Sequence, residues 1–174
     1  MIARRALVSM VVVAVLALAG CGATGEVPKP EPQGTGAASA AGSYDFTAAT
    51  LDGATFDGRS LTGKPAVLWF WAPWCPTCLG QAKQVNALAA GYAGKAAVVG
   101  VAGLGTVPEM REFVGLAKLS GFPQLADEQG VVWKRFEMTA QSTFVVLDAD
   151  GVITARGHVD PAELPGRLDK LVEG

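Results

Sequence analysis

Apolar residues in this chain fall into blocks of different period. Ala66-Val67-Leu68-Trp69-Phe70-Trp71 is apolar at every position, and Ala96 to Val101 is broken only by a glycine. Runs without polar alternation are those of interior strands covered on both faces. The spacing then changes. From Pro76 to about Ala90, Val85, Leu88 and Ala89 recur at helical intervals, and Gly91 follows as a stop signal. A second helix starts around Pro108, with Met110, Phe113, Val114 and Ala117 as its apolar face. Gln124-Leu125-Ala126 predicts a short strand, and Gly130 to Phe136 a helical turn or short helix. Thr143 to Leu147 predicts a strand, the Asp148-Ala149-Asp150-Gly151 turn a hairpin, and Val152 to Arg156 its partner. Pro161 to Val172 closes the pattern as a helix with Leu164, Leu168 and Leu171 inward. Ahead of these elements, Tyr44 to Phe46 and Ala54 to Phe56 flank a Leu51-Asp52-Gly53 turn as two short strands. Strand–helix units followed by an antiparallel hairpin and a last helix make an α/β sandwich with a mixed central sheet.

The first 43 residues follow other rules. Arg4 and Arg5 precede an apolar run from Ala6 to Ala17, interrupted only by Ser9, and Leu18-Ala19-Gly20-Cys21 follows. That is the layout of an export signal over residues 1–20. The run is short for a membrane span, which takes roughly 20 residues. Residues 21–43 carry Pro28, Pro30 and Pro32 and then a Gly/Ala/Ser tract. Such a segment buries too little apolar surface to offset its ordering entropy, so it is expected to be a linker, leaving one domain over 44–174.

Composition adds mostly exclusions. A formal charge of −2 over 174 residues supplies no basic footprint for nucleic acid. The single histidine, His158, follows a strand and is expected near solvent. Glu137 and Asp127 carry no signal of their own, and Asp148 and Asp150 suit a turn.

The chemistry concentrates at Trp74-Cys75-Pro76-Thr77-Cys78. Here an apolar strand gives way to a helix start, where unpaired N–H groups and the helix dipole favour a thiolate. A second thiol one turn on can then release a mixed disulfide. Cys75 is the expected attacking sulfur and Cys78 the resolving one. A structural zinc knuckle needs a second ligand pair, and only Cys21 and His158 remain.

Gly63-Lys64-Pro65 and Val67 to Cys78 resemble the thioredoxin superfamily, and within it the extracytoplasmic DsbF/DsbE-like redoxin lipoproteins of actinobacteria. The resemblance implies a three-layer sandwich with a mixed central sheet and an N-terminal hairpin. It implies a protein thiol–disulfide oxidoreductase that needs no cofactor or metal beyond the Cys75–Cys78 couple, with Trp74, Pro76 and Thr77 flanking the site. Gln141, Ser142 and Thr143 match the loop that faces substrate. Leu18 to Cys21 resembles a lipobox, which implies diacylglycerol on Cys21 and a lipid anchor on the outer face of the cytoplasmic membrane. Implied partners are exported client proteins with thiols or disulfides, and a membrane redox partner that recycles the dithiol. With Cys21 lipidated, the three cysteines leave one pair.

The chain departs from that pattern at three positions. Trp69 stands where many thioredoxins carry a buried Asp. Gln81 stands where TlpA- and ResA-like reductases carry a Glu. Ser142 stands where a cis-proline is usual, and a trans bond is expected there because a cis bond before a non-proline residue costs about 3–4 kcal/mol. The Ser142 hydroxyl is a candidate hydrogen-bond donor to Cys75. The missing acids tilt the reading towards oxidation of clients. A reductase serving cytochrome c maturation is the alternative, and a copper-binding lipoprotein using both thiols and Met138 a further one.

Overall fold

The computed structural model describes residues 40–173. The signal segment, Cys21 and most of the linker lie outside the described residues. A single helical turn, α1 (Ala40–Ser43), falls inside the segment expected to be linker. The Gly42 carbonyl in it accepts from Arg135 Nη1 at 2.6 Å, so ordered contacts begin before Tyr44.

Strands β1 (Thr47–Ala49) and β2 (Thr55–Asp57) form an antiparallel hairpin with Ala48 opposite Phe56. The first strand starts later than its alternation predicts. Tyr44 and Phe46 are buried, but they serve as anchors rather than ladder residues. The Tyr44 hydroxyl donates to the Asp148 carbonyl, and the Phe46 ring packs edge-on to Phe136 at 5.9 Å.

The main sheet runs β5-β4-β3-β6-β7. Its centre, β3 (Ala66–Trp71), is parallel to β4 (Ala97–Ala102) and antiparallel to β6 (Thr143–Leu147). On the outside, β5 (Gln124–Ala126) is parallel to β4, and β7 (Ile153–Gly157) is antiparallel to β6. Every residue of β3 and β6 is buried, as their unbroken apolar runs require.

Alternation along β3 divides the core. Val67, Trp69 and Trp71 face α2 (Pro76–Gly91), α3 (Val107–Ala117) and α5 (Leu164–Glu173), which contribute Val85, Leu88, Met110, Phe113 and Leu168. Ala66, Leu68 and Phe70 face the opposite layer, where Tyr44, Phe46 and the short helix α4 (Val131–Arg135) pack. The result is the expected three-layer, thioredoxin-like α/β sandwich. The Trp71 ring stacks on Phe113 at 4.5 Å, a contact worth roughly 0.5–1.5 kcal/mol beyond burial, and it fixes α3 beside the end of β3.

Candidate active site

The site is built where β3 ends. Ala72 and Pro73 carry the chain out of the sheet, and Cys75 is the N-cap of α2, with extended backbone. Pro76 occupies the first helical turn, where its missing N–H costs nothing. The Cys78 N–H donates to Cys75 Sγ at 3.0 Å, and the Leu79 N–H donates to the Cys75 carbonyl at 3.1 Å. One sulfur therefore receives a hydrogen bond that a side-chain oxygen usually takes at a helix start. Cys75 and Cys78 are joined in a disulfide with a Cα–Cα separation of 5.3 Å.

The two sulfurs differ in access. Cys78 is fully buried, whereas Cys75 keeps 4% of its surface exposed. Of the two sulfurs, Cys75 is therefore the one with any opening to an incoming thiolate. Thr77 is exposed, and no hydrogen bond of its hydroxyl is seen among the described residues.

Trp74 stands at the rim, 57% exposed, and its indole N–H donates to the Leu104 carbonyl at 2.7 Å. That bond ties the loop after β3 to the loop after β4. The second loop fits only because Gly105 lacks a side chain: a Cβ there would collide with the Pro73 ring. Leu104 takes a left-handed backbone, φ 57°, while presenting its carbonyl to Trp74.

Two of the three positions that depart from the family pattern, Trp69 and Gln81, meet each other. Trp69 Nε1 donates to Gln81 Oε1 at 3.0 Å. A neutral pair thus occupies the places where related proteins carry carboxylates, and each polar group satisfies the other.

Ser142 gives a second outcome. The β3–β6 register sets Thr143 opposite Phe70, and the Ser142 N–H donates to the Phe70 carbonyl at 2.8 Å. The Gln141–Ser142 segment therefore lies at the same end of the sheet as the dithiol. Ser142 has φ 64°, a value closed to proline, and its N–H makes a bond that proline cannot make. A left-handed non-glycine residue is an uncommon, strained state, and Ser142 and Leu104 both place it in loops at this end of the fold. The candidate bond from the Ser142 hydroxyl to Cys75 is not made in the disulfide state: among the described residues the only partner of Cys75 Sγ is the Cys78 N–H. The Thr143 hydroxyl is turned to the Ala140 carbonyl at 2.8 Å and to Met138 Sδ.

Several residues matter more than their sequence context suggested. Asp127 is buried and accepts from the Val131 and Trp133 N–H groups at 2.7 and 2.8 Å, capping α4; burial nevertheless pushes its carboxyl upward. Glu109 accepts from the Thr106 N–H and hydroxyl at 2.7 and 2.8 Å, and these bonds hold its carboxyl below the ordinary range. The Thr106-x-x-Glu109 spacing carries that signal in the sequence. His158 is exposed, as its position after a strand suggested. Met138 packs with the opposite core layer from the two cysteines, which removes the support it lent to a copper site. Among the described residues no group of three His, Cys, Asp or Glu side chains could hold a metal ion.

A helix-capping dithiol at the end of a buried central strand is the arrangement a thiol-exchange enzyme needs. The Redoxin family model matches residues 33–170. The chain belongs to the Redoxin family. Similar to it is the soluble secreted antigen MPT53 of Mycobacterium tuberculosis, 44% identical over 130 residues, which span 72% of this chain and 74% of that one. The solved structure of Mycobacterium tuberculosis DsbF, in mixed oxidised and reduced forms, is 48% identical and superposes with a TM-score of 0.70 over 74% of this chain and 96% of that one. A secreted disulfide oxidoreductase of the same organism, homologous to E. coli DsbE, is 42% identical with a TM-score of 0.66, covering 74% of this chain and 98% of that one. This redoxin is a thiol–disulfide oxidoreductase whose working group is a cysteine pair rather than a bound cofactor.

Proposed function

We propose that this redoxin is a lipid-anchored oxidase of exported proteins, which passes the Cys75–Cys78 disulfide to client thiols. The observation that carries the direction is electrostatic. Cys75 Sγ sits at a helix N-terminus and accepts the Cys78 N–H, while the nearby family carboxylate positions hold the neutral Trp69–Gln81 pair. Positive helix ends stabilise a thiolate, and a neighbouring anion would oppose it. Stabilising the thiolate stabilises the reduced protein, which makes the disulfide a stronger oxidant.

In the reaction, a client thiolate attacks Cys75 Sγ, and the bond to Cys78 breaks. Cys78 leaves as a thiolate and takes up a proton. A second client thiolate then attacks the client sulfur of the mixed disulfide, and Cys75 leaves as its stabilised thiolate. Two electrons have moved from the client to the dithiol. A membrane redox partner must remove them for a further turnover.

Location is read from the N-terminus and from relatives described as secreted. Lipidation of Cys21 would hold the domain outside the membrane on the residue 22–43 tether. Among the described residues no helix is long and apolar enough to cross a membrane.

The deciding measurement is the equilibrium potential against glutathione, paired with oxidative refolding of a reduced client. A potential nearer about −120 mV than about −270 mV is expected, with refolding accelerated. A value at the lower end, with reduction of clients instead, would overturn the oxidase reading in favour of a thiol reductase.

A further inference from the structure

Beside Trp74, the exchange chemistry leaves a cleft between the loop after β3 and α3 unused. Pro73, Trp74, Glu109, Glu112, Phe113 and Leu116 enclose about 210 Å³ there. Two large apolar side chains are open to solvent in it, Trp74 at 57% and Leu116 at 67%. Glu109, Glu112 and Leu116 recur at helical spacing, so they share one face of α3. Both carboxylates are exposed, and among the described residues neither pairs with a cation. The Thr106 N–H and hydroxyl hold the Glu109 carboxyl below the ordinary range.

The polarity of the cleft changes along its length. The adjoining cavity shares Leu116, but its charged residues are Lys83 and Lys118. The acidic end is therefore the one that touches Trp74, the residue before Cys75.

We propose that this cleft docks the client segment flanking the reacting cysteine, and that it selects segments carrying Lys or Arg next to an apolar residue. The proposal rests on the thiol-exchange reading of Cys75. It follows from the place of Trp74, which lines the cleft and directly precedes Cys75 in the chain, and from the sign of the rim. The apolar residue covers Trp74 and Leu116, and the cation meets Glu109 and Glu112. Charges of this kind act chiefly on encounter rate and register.

The test uses the full-length oxidised protein and two reduced peptides. Each peptide has one cysteine and the same apolar residues; one carries two arginines beside the cysteine, the other two glutamates. Mixed-disulfide formation at low salt should be about three- to tenfold faster for the arginine peptide, and the ratio should shrink at high salt. Glu112→Gln should lower the ratio and Glu112→Lys should invert it. Because both peptides are compared on one variant, changes in folding or in Cys75 reactivity cancel. Dividing each rate by that peptide's rate with a small disulfide removes the effect of its flanking charges on its own thiol. A ratio near one on the native protein, or one unmoved by Glu112→Lys, would overturn the proposal. Failure of both peptides to exchange would count against the thiol-exchange reading alone. Calorimetry with serine-for-cysteine peptides then reads docking directly: tighter binding of the arginine version supports the cleft, and equal binding overturns it.

Discussion

Two helix starts lie side by side at the end of the sheet. Strands β3 and β4 are parallel neighbours; α2 follows the first and α3 the second. Cys75 and Thr106 are their N-caps, both with extended backbone, and each helix has a proline in its first turn. Thr106 is closed upon itself, because its N–H and hydroxyl both go to Glu109 of the same turn. Cys75 receives one N–H on a sulfur that must also form and break covalent bonds. The same local architecture therefore serves order in one place and reactivity in the other. The atom at the cap decides which, since helix-end stabilisation of an oxygen only secures the helix, whereas stabilisation of a sulfur changes its leaving ability.

The largest effect should come from making the two caps alike. Cys75→Ser supplies an oxygen cap and should lower client exchange by at least about a thousandfold. Helix α2 should survive, since serine is a good N-cap: against reduced native protein, the Tm should move by less than about 4 °C. Retained exchange in a client-oxidation assay would refute the role given to Cys75.

A smaller effect should follow from restoring an anion near the reactive cap. Gln81→Glu places a carboxylate against the Trp69 indole, where it can still accept the N–H. The Cys75 thiol pKa should rise by about one unit, and the potential should become more reducing by about 30 mV. Thiolate absorbance against pH and glutathione equilibration read the two quantities. An unmoved potential would show that the neutral pair does not set the direction of exchange.

The smallest effect belongs to the closed cap. Thr106→Ala removes the hydroxyl that donates to Glu109 and should cost about 1 kcal/mol, read by denaturant unfolding, with the potential unchanged. Glu109 is held below its unfolded value, so its contribution is complete above the ordinary carboxylate range and lost as pH falls through the lowered folded value. In the variant, this acid-side loss should be shallower.

How much of this was legible in the sequence depends on how local the cause is. The β3 run is apolar because both faces of a central strand are covered, and it was readable without a structure. Helix α2 was equally readable, because the Pro76 start and the Val85–Leu88 spacing are properties of one segment. The hairpin strand was misplaced because Tyr44 and Phe46 alternate like strand residues, yet their partners are Asp148 and Phe136, far along the chain. Asp127 looked ordinary for a related reason: it became a buried cap only when β5 and α4 enclosed it.

By itself, the sequence determined the dithiol, its place between a buried strand and a helix, and the layered α/β class, all of which follow from short-range spacing and periodicity. Only the tertiary structure decided that Trp69 and Gln81 satisfy each other, that Ser142 takes a backbone state and a hydrogen bond denied to proline, and that Trp74 shares a cleft with two acids of α3. Those outcomes depend on strand register and helix placement. Such contacts join residues that no local pattern pairs, because their partners are chosen by packing.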